Sequence, residues 1–394
     1  VFSARVAAGY RGRLEVNARS LTTAVIVLLL SGLALADESA IDGVYRGTLG
    51  KQDIVLDIHP FESDAGDPYG GRYFYRRHGT AIPLKIETGA DGKLRVLEYH
   101  DGAPTGAQWL LVIDGDKASA DFCTCDVRNA AVFASSAHAM IALTLIAGTR
   151  NQPHEEAYNA QLLDSPLTDG REIRVADRIA YVMQTDPRFS VSLPRLTQFP
   201  DAAVMRKVND GLAKALDDRR LEVADCFFVG EQSGGAHRHE EYRVALLNRD
   251  VLSIGGWASI QCGGGAHPEN SVGVQIYDMH TGEPFDFEAN PQAFFRSAQP
   301  PWDELHDLYI KYAKLSRTTP EECRRAGGDE ADDVYDLNFD VAGHMYFDAK
   351  GLAIDPRDSV PHAVAACFEE VIVPYSEIRQ FVRPDSPFYP LMAP

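Results

Sequence analysis

The sequence predicts an α+β protein, with an N-terminal antiparallel β meander or small barrel followed by a C-terminal α+β domain on antiparallel sheet. Three observations carry that expectation. Strand-like runs separated by turns recur about every 11 residues through the first part. Two helical stretches stand among later strands. Strands and helices come in blocks, without the alternation that marks a parallel βαβ sheet. With 394 residues, 45% of them hydrophobic, the chain can bury cores for about two domains.

The first element is a leader. Residues 21–36, LTTAVIVLLLSGLALA, follow Arg5, Arg11, Arg13 and Arg19 and end on Ala34-Leu35-Ala36. A basic start, a short apolar run and a small-x-small end are the marks of a secretory signal, so cleavage is expected after Ala36 and the product in the periplasm or outside. A retained membrane helix would need roughly 20 apolar residues. This run is broken by Thr22, Thr23, Ser31 and Gly32 and met at once by Asp37 and Glu38. No stable membrane anchor is expected after cleavage.

A β-rich domain is expected over 37–165. Its segments are GVYRGTLG, DIVLDIH, GRYFYRR, IPLKIE, LRVLEYH, QWLLVID and ASADFC, with turns at Asp91-Gly92 and Asp114-Gly115. In DIVLDIH, Ile54, Leu56 and Ile58 alternate with Asp53, Val55 and Asp57, which predicts a core face and a mostly solvated one. A strand at IALTLI and a helix at HEEAYNAQLL close the domain. DSPLTDGRE, with Pro166, Gly170 and no apolar period, reads as a linker.

The second domain is expected over 173–385. RIAYVMQT and FSVSLPRL read as strands. A helix is expected over DAAVMRKVNDGLAKALDD, residues 201–218, behind the N-cap candidate Asp201, with Val204, Val208, Leu212, Ala215 and Leu216 at helical spacing. YRVALLNRDVLSIGGWASIQC predicts a hairpin folding at Asn248-Arg249-Asp250, and SVGVQIYDMHTGEPFDF a further strand turning at Thr281-Gly282. WDELHDLYIKYAKL is helical, with Leu305, Leu308, Tyr312 and Leu315 on one face. Strands at VYDLNFDVAGHMYFD and HAVAACFEEVIVPY and a short helix from Ser376 complete the order.

Without the leader the chain carries 34 basic and 56 acidic side chains, a formal charge of −22. That sign argues against nucleic acid and favours basic protein partners. The six cysteines are Cys123, Cys125, Cys226, Cys262, Cys323 and Cys367. In an oxidising compartment they predict disulfides. The expected pairs are Cys226 with Cys262 and Cys323 with Cys367, each flanking a run of elements in one domain. Cys123 and Cys125, on one face of a strand, span an awkward distance and are expected to stay free or pair outward.

Catalytic motifs are weak. GEQSGG at 230–235 and SSAHAM at 135–140 resemble the serine and histidine strings of chymotrypsin-like proteases. Gln232 stands where that family has an acid, and Ser233 and His138 fall in different predicted domains, so a flexible Gly-rich loop is expected instead. His237, His239, Glu240 and His267 could gather around zinc, but neither HExxH nor paired CxxC supports them. Asp114, Asp116 and Asp121 lack the central glycine and terminal glutamate of a calcium loop. No catalytic residue, metal or cofactor is therefore expected.

The motif that stands out is CGGGAHPEN, residues 262–270, between a strand and VGVQIYDMHTGE. Together with PYSEI at 374–378 and MYFDAKGLAID at 345–355, it is similar to the RsiV-like family, the extracytoplasmic domains of lysozyme-sensing anti-sigma factors that also occur fused to peptidoglycan deacetylases. The match is to Gly264, Gly265, Ala266, His267 and Pro268, with Gly263 as an extra residue. The resemblance spans roughly 173–385 and implies a protein partner, plausibly a basic muramidase. Gly264, Gly265, His267, Pro268 and Asn270 would then be the contact residues. The glycines allow positive φ and close backbone approach. The expectation is a non-enzymatic binding module of the bacterial envelope. The alternatives are a metal-dependent enzyme acting on peptidoglycan or a related glycan, and an immunity factor against a secreted toxin.

Overall fold

A computed structural model describes residues 43–59, 70–88, 93–125, 139–146, 154–233, 235–263, 268–316, 341–360, 365 and 367–392. The expected leader over 1–36, the Asp91-Gly92 turn, His138, Gly264, Gly265, Ala266, His267, Cys323 and the side chain of Leu315 lie outside them. The described chain is mostly antiparallel sheet, with an eight-stranded barrel and a few helices. Among the described residues no helix is long and apolar enough to cross a membrane.

The meander closes on itself. Strands β1 (Gly43–Leu49), β2 (Gln52–Ile58), β3 (Gly71–Tyr75), β4 (Ala81–Thr88), β5 (Leu94–His100), β6 (Ala103–Asp114), β7 (Lys117–Thr124) and β8 (Ala139–Leu145) pair in order, and β8 returns to β1. Closure leaves no sheet edge exposed. The two-residue period sends Tyr45, Leu56, Tyr73, Val96, Trp109 and Leu111 inward, all at most 1% exposed. Tyr73 meets Trp109 edge to face at 5.0 Å. Glu98 shares this interior, where its Oε1 accepts from Tyr73 Oη and Trp109 Nε1, both at 2.9 Å.

The outer face of the barrel departs from expectation at β2. Ile54, Leu56 and Ile58 are buried as predicted, yet Val55 and Asp57 are buried too, at 0% and 1% exposure. Helix α1 (His154–Leu163) and a later helix cover them, so Val55 and Phe74 join a core with Tyr158 and Leu162. Asp57 accepts from Arg72 Nε at 3.3 Å, and the Arg72 guanidinium lies 4.1 Å from the Tyr158 ring centre. A barrel wall docked on helices has no solvated face there.

The expected linker is partly sheet. Within DSPLTDGRE, β9 (Thr168–Asp169) pairs with β11 (Ile179–Asp186), which also holds β10 (Ile173–Ala176) and β12 (Val191–Gln198). Helix α2 (Ala202–Ser233) packs on this sheet, and Asp201 caps it by accepting from the Ala203 and Val204 N–H groups at 2.8 and 3.2 Å. It runs well past the Asp218 end expected from sequence, because Val223, Ala224, Cys226 and Phe227 continue the apolar spacing.

Beneath α2 sits Asp186, fully buried. It accepts from Arg188 Nη2 at 2.6 Å and from Arg220 Nε at 2.8 Å. Arg220 also donates to the carbonyls of Leu163 and Ser165, which fastens the segment after α1.

A second antiparallel sheet holds β13 (Ala236–Leu247), β14 (Val251–Cys262), β15 (Glu269–Asp278) and β16 (Pro284–Phe285). After α3 (Trp302–Ser316), the expected single late strand proves to be a hairpin. It comprises β17 (Met345–Asp348) and β18 (Gly351–Ile354), joined by β19 (Val371–Pro374) before the short α4 (Tyr375–Ile378). On α3, Leu305, Tyr309 and Ala313 are buried in a core with Phe287, Phe294, Phe347 and Phe388.

Candidate functional site

Of the residues flagged from sequence, His237, His239, Glu240 and Asn270 lie along the outer end of β13–β15. Side chains along β13 alternate: Arg238, Glu240 and Tyr242 turn one way, and His237, His239 and Glu241 the other. The first set packs toward α2. Arg219 of α2 stacks on Tyr242 at 3.6 Å, Arg238 pairs with Glu240, and Arg238 Nη1 lies 3.5 Å from Glu222. Burial pushes the Tyr242 phenol up from its usual value, while Arg219 pulls the other way. Gly273, on β15, leaves room for this layer: a Cβ there would sit 2.6 Å from Tyr242 Oη and 2.7 Å from Arg219 Nη2.

A disulfide fixes the end of this arm to the helix. Cys226 of α2 is bonded to Cys262, the last residue of β14, with Cα atoms 4.5 Å apart. Gly263 follows at φ +81°, a conformation that favours glycine, and its Cβ position would be 2.9 Å from the Val229 carbonyl. The root of the glycine loop is thus seated on the last turn of α2. Ser233 belongs to that turn and donates its hydroxyl to Val229 O at 2.6 Å. The flexible loop expected over 230–235 is helical through Ser233. From the barrel, His100 pairs with Glu231, whose hydrogen bond and charge raise the imidazole above its usual value.

The other face of the arm looks outward. The register aligns His239, Ser259 and Asn270 across three strands, with Glu241, Trp257 and Val272 in the next row. His239 Nε2 lies 3.1 Å from Glu241 Oε1, and both side chains are more than half exposed. Trp257 is flanked by the His239 ring at 5.6 Å and by the Arg357 guanidinium at 4.7 Å. Further in, Arg243 grips Glu370 through two hydrogen bonds of 3.0 and 2.5 Å, and Tyr346 donates to the same carboxylate. Burial alone would raise Glu370, but these bonds outweigh it and hold the carboxyl below its usual value. The Val272 N–H donates to Asp358 at 2.7 Å.

Of the contact residues read from sequence, Pro268 and Asn270 sit at the start of this face, and Gly264, Gly265 and His267 lie outside the described residues. The zinc alternative loses a ligand, since strand alternation places Glu240 opposite to His237 and His239. Among the described residues no group of three or more His, Cys, Asp or Glu side chains is placed to hold a metal ion. Cys367 is disulfide-bonded. Cys123 and Cys125, expected free or paired outward, are bonded to each other. Their span is workable because β7 ends at Thr124, so the Cα atoms approach to 5.6 Å, within disulfide range.

Trp257 and Arg357 were not flagged from sequence. The tryptophan could have been found, since it occupies β14 opposite an alternating His-Glu strand, but the arginine arrives from a distant loop and carried no local signal.

The arrangement offers imidazole, carboxylate, amide and indole groups at strand spacing on a rigid, cross-linked base. Such a surface suits hydrogen bonding and stacking against a partner. No protein-family model matches the chain, and no curated protein is similar to it. Among solved structures, a member of the DUF3298 family from Bacteroides fragilis is similar at 15% identity and a TM-score of 0.35, covering 58% of this chain and 96% of that one. A DUF3298 family protein from Pseudomonas aeruginosa is similar at 13% identity and a TM-score of 0.31, covering 56% of this chain and 97% of that one.

Proposed function

We propose that the protein is an exported, non-enzymatic binding module of the bacterial envelope, RsiV-like in its C-terminal part. The outer face of β13–β15 and the adjoining loop at Gly264, Gly265, His267, Pro268 and Asn270 hold a basic, lysozyme-like protein. One observation carries the reading: an accessible row of His239, Ser259 and Asn270, with Glu241 and Trp257 beside it, on an arm whose opposite face is packed and disulfide-clamped. A preorganised face loses little ordering entropy on binding. The acidic excess of the chain supports the same partner class by long-range attraction.

The test is calorimetric titration with lysozyme at low and high salt. Heat at low salt that fades at high salt is the expected result, with His239→Ala and Glu241→Lys together weakening binding about tenfold or more while the melting temperature stays put. Absence of heat at low salt removes lysozyme as the partner.

A further inference from the structure

We propose that Cys123 and Cys125 form a thiol–disulfide exchange site at the rim of the barrel, one that takes electrons from an external dithiol. The proposal stands apart from the binding reading above. The bond closes over a sequence separation of 2, against 36 for Cys226–Cys262. Entropic restraint of the unfolded chain grows with the length enclosed, so this bond contributes little as a cross-link. Its surroundings instead supply what exchange needs.

Gln108 lies directly opposite Cys123 in the β6–β7 register and is 3% exposed. Its Nε2 donates toward both sulfurs, at 3.1 Å from Cys125 Sγ and 3.6 Å from Cys123 Sγ. Its Oε1 accepts from Arg95 Nε and Nη2 at 3.3 and 3.2 Å. The guanidinium therefore polarises the amide, and the N–H end of that amide faces the sulfurs, where it favours thiolate over thiol.

Access separates the two cysteines. Cys123 is 1% exposed and Cys125 is half-buried at the strand end, so an incoming thiolate reaches Cys125. That thiolate attacks Cys125 Sγ, the bond to Cys123 breaks, and Cys123 leaves as a thiolate within reach of the Gln108 amide. The second thiolate of the dithiol then attacks its own sulfur in the mixed disulfide and displaces Cys125. The dithiol ends as a disulfide, and Cys123 and Cys125 as two thiols after taking protons from water. Gln108 and Arg95 are positioning residues in this scheme.

The oxidised full-length chain is incubated with dithiothreitol under native conditions, quenched by alkylation at intervals, and mapped by peptide mass. Cys123–Cys125 should open at least about tenfold faster than Cys226–Cys262. Gln108→Met and, separately, Arg95→Gln should shift the thiolate absorbance titration of the reduced pair to higher pH. Both should slow reoxidation by glutathione disulfide about three- to tenfold. Equal opening rates, opening only on unfolding, or a titration unmoved in whichever variant retains its native circular dichroism would overturn the proposal.

Discussion

Glu98 in the barrel and Asp186 beneath α2 are both carboxylates withdrawn from water, and their protein environments treat them in opposite ways. For each, burial is the largest influence and pushes the carboxyl up. Glu98 is answered by two neutral donors, Tyr73 and Trp109, which do not offset that push, so its carboxyl stays above the usual range. Asp186 is answered by Arg188 and Arg220, whose hydrogen bonds and charge overcome burial and hold it below. Charge compensation, rather than depth, decides the protonation state. The barrel interior is built for a side chain that can be neutral, whereas the junction of α1, the segment after it and α2 is fastened by charge.

The sharpest way to break the comparison is to remove the charge from one side of it. Arg220→Met keeps much of the volume but takes a donor from Asp186 and two from the carbonyls of Leu163 and Ser165. Breaking a buried pair in this way costs about 3–5 kcal/mol. Urea denaturation should show a loss of that size, and a loss under about 1 kcal/mol would mean the junction does not depend on the ion pair.

The next largest effect is on acid stability. Because Asp186 is held below its ordinary value of 3.8, its contribution is present above that pH and disappears as pH falls through the lower, folded-state value. Thermal melting of the native chain should therefore decline on the acid side. Asp186→Asn should start lower at neutral pH and lack that part of the decline; parallel curves would refute the assignment.

These two carboxylates also show how far the sequence could be read. The β-meander was legible because its strands alternate and its turns are short, and LRVLEYH even placed Glu98 on the same face as Leu94 and Val96, a signal that could have marked a buried acid. A closed barrel was one of the two forms the strand runs allowed; choosing it over an open meander needed the β1–β8 pairing, which joins residues about a hundred positions apart and leaves no local signal. Asp186 looked like any strand-end aspartate, because Arg220 comes from a helix 34 residues away. On β13, the strand period was enough to separate Glu240 from His237 and His239. The seat of Gly263 on α2 could not be foreseen, because the helix was expected to end near Asp218.

The smallest expected effect is the most discriminating, because its sign is opposite to that at Asp186. With the folded carboxyl of Glu98 raised above the ordinary 4.5, the native state binds the proton more tightly than the unfolded chain does. Stability then falls as pH rises from 4.5 through the folded value and levels off above it. Glu98→Gln keeps an oxygen to accept from Tyr73 and Trp109 and cannot ionise, so its stability should be flat across that window. The variant should gain on the native chain as pH rises from acid to neutral. Trp109 donates to Glu98 directly, so its fluorescence should follow the same titration in the native chain and not in the variant. If the two stability curves stayed parallel, the barrel would be tolerating a charged Glu98 after all, and the contrast with Asp186 would reduce to a difference in packing.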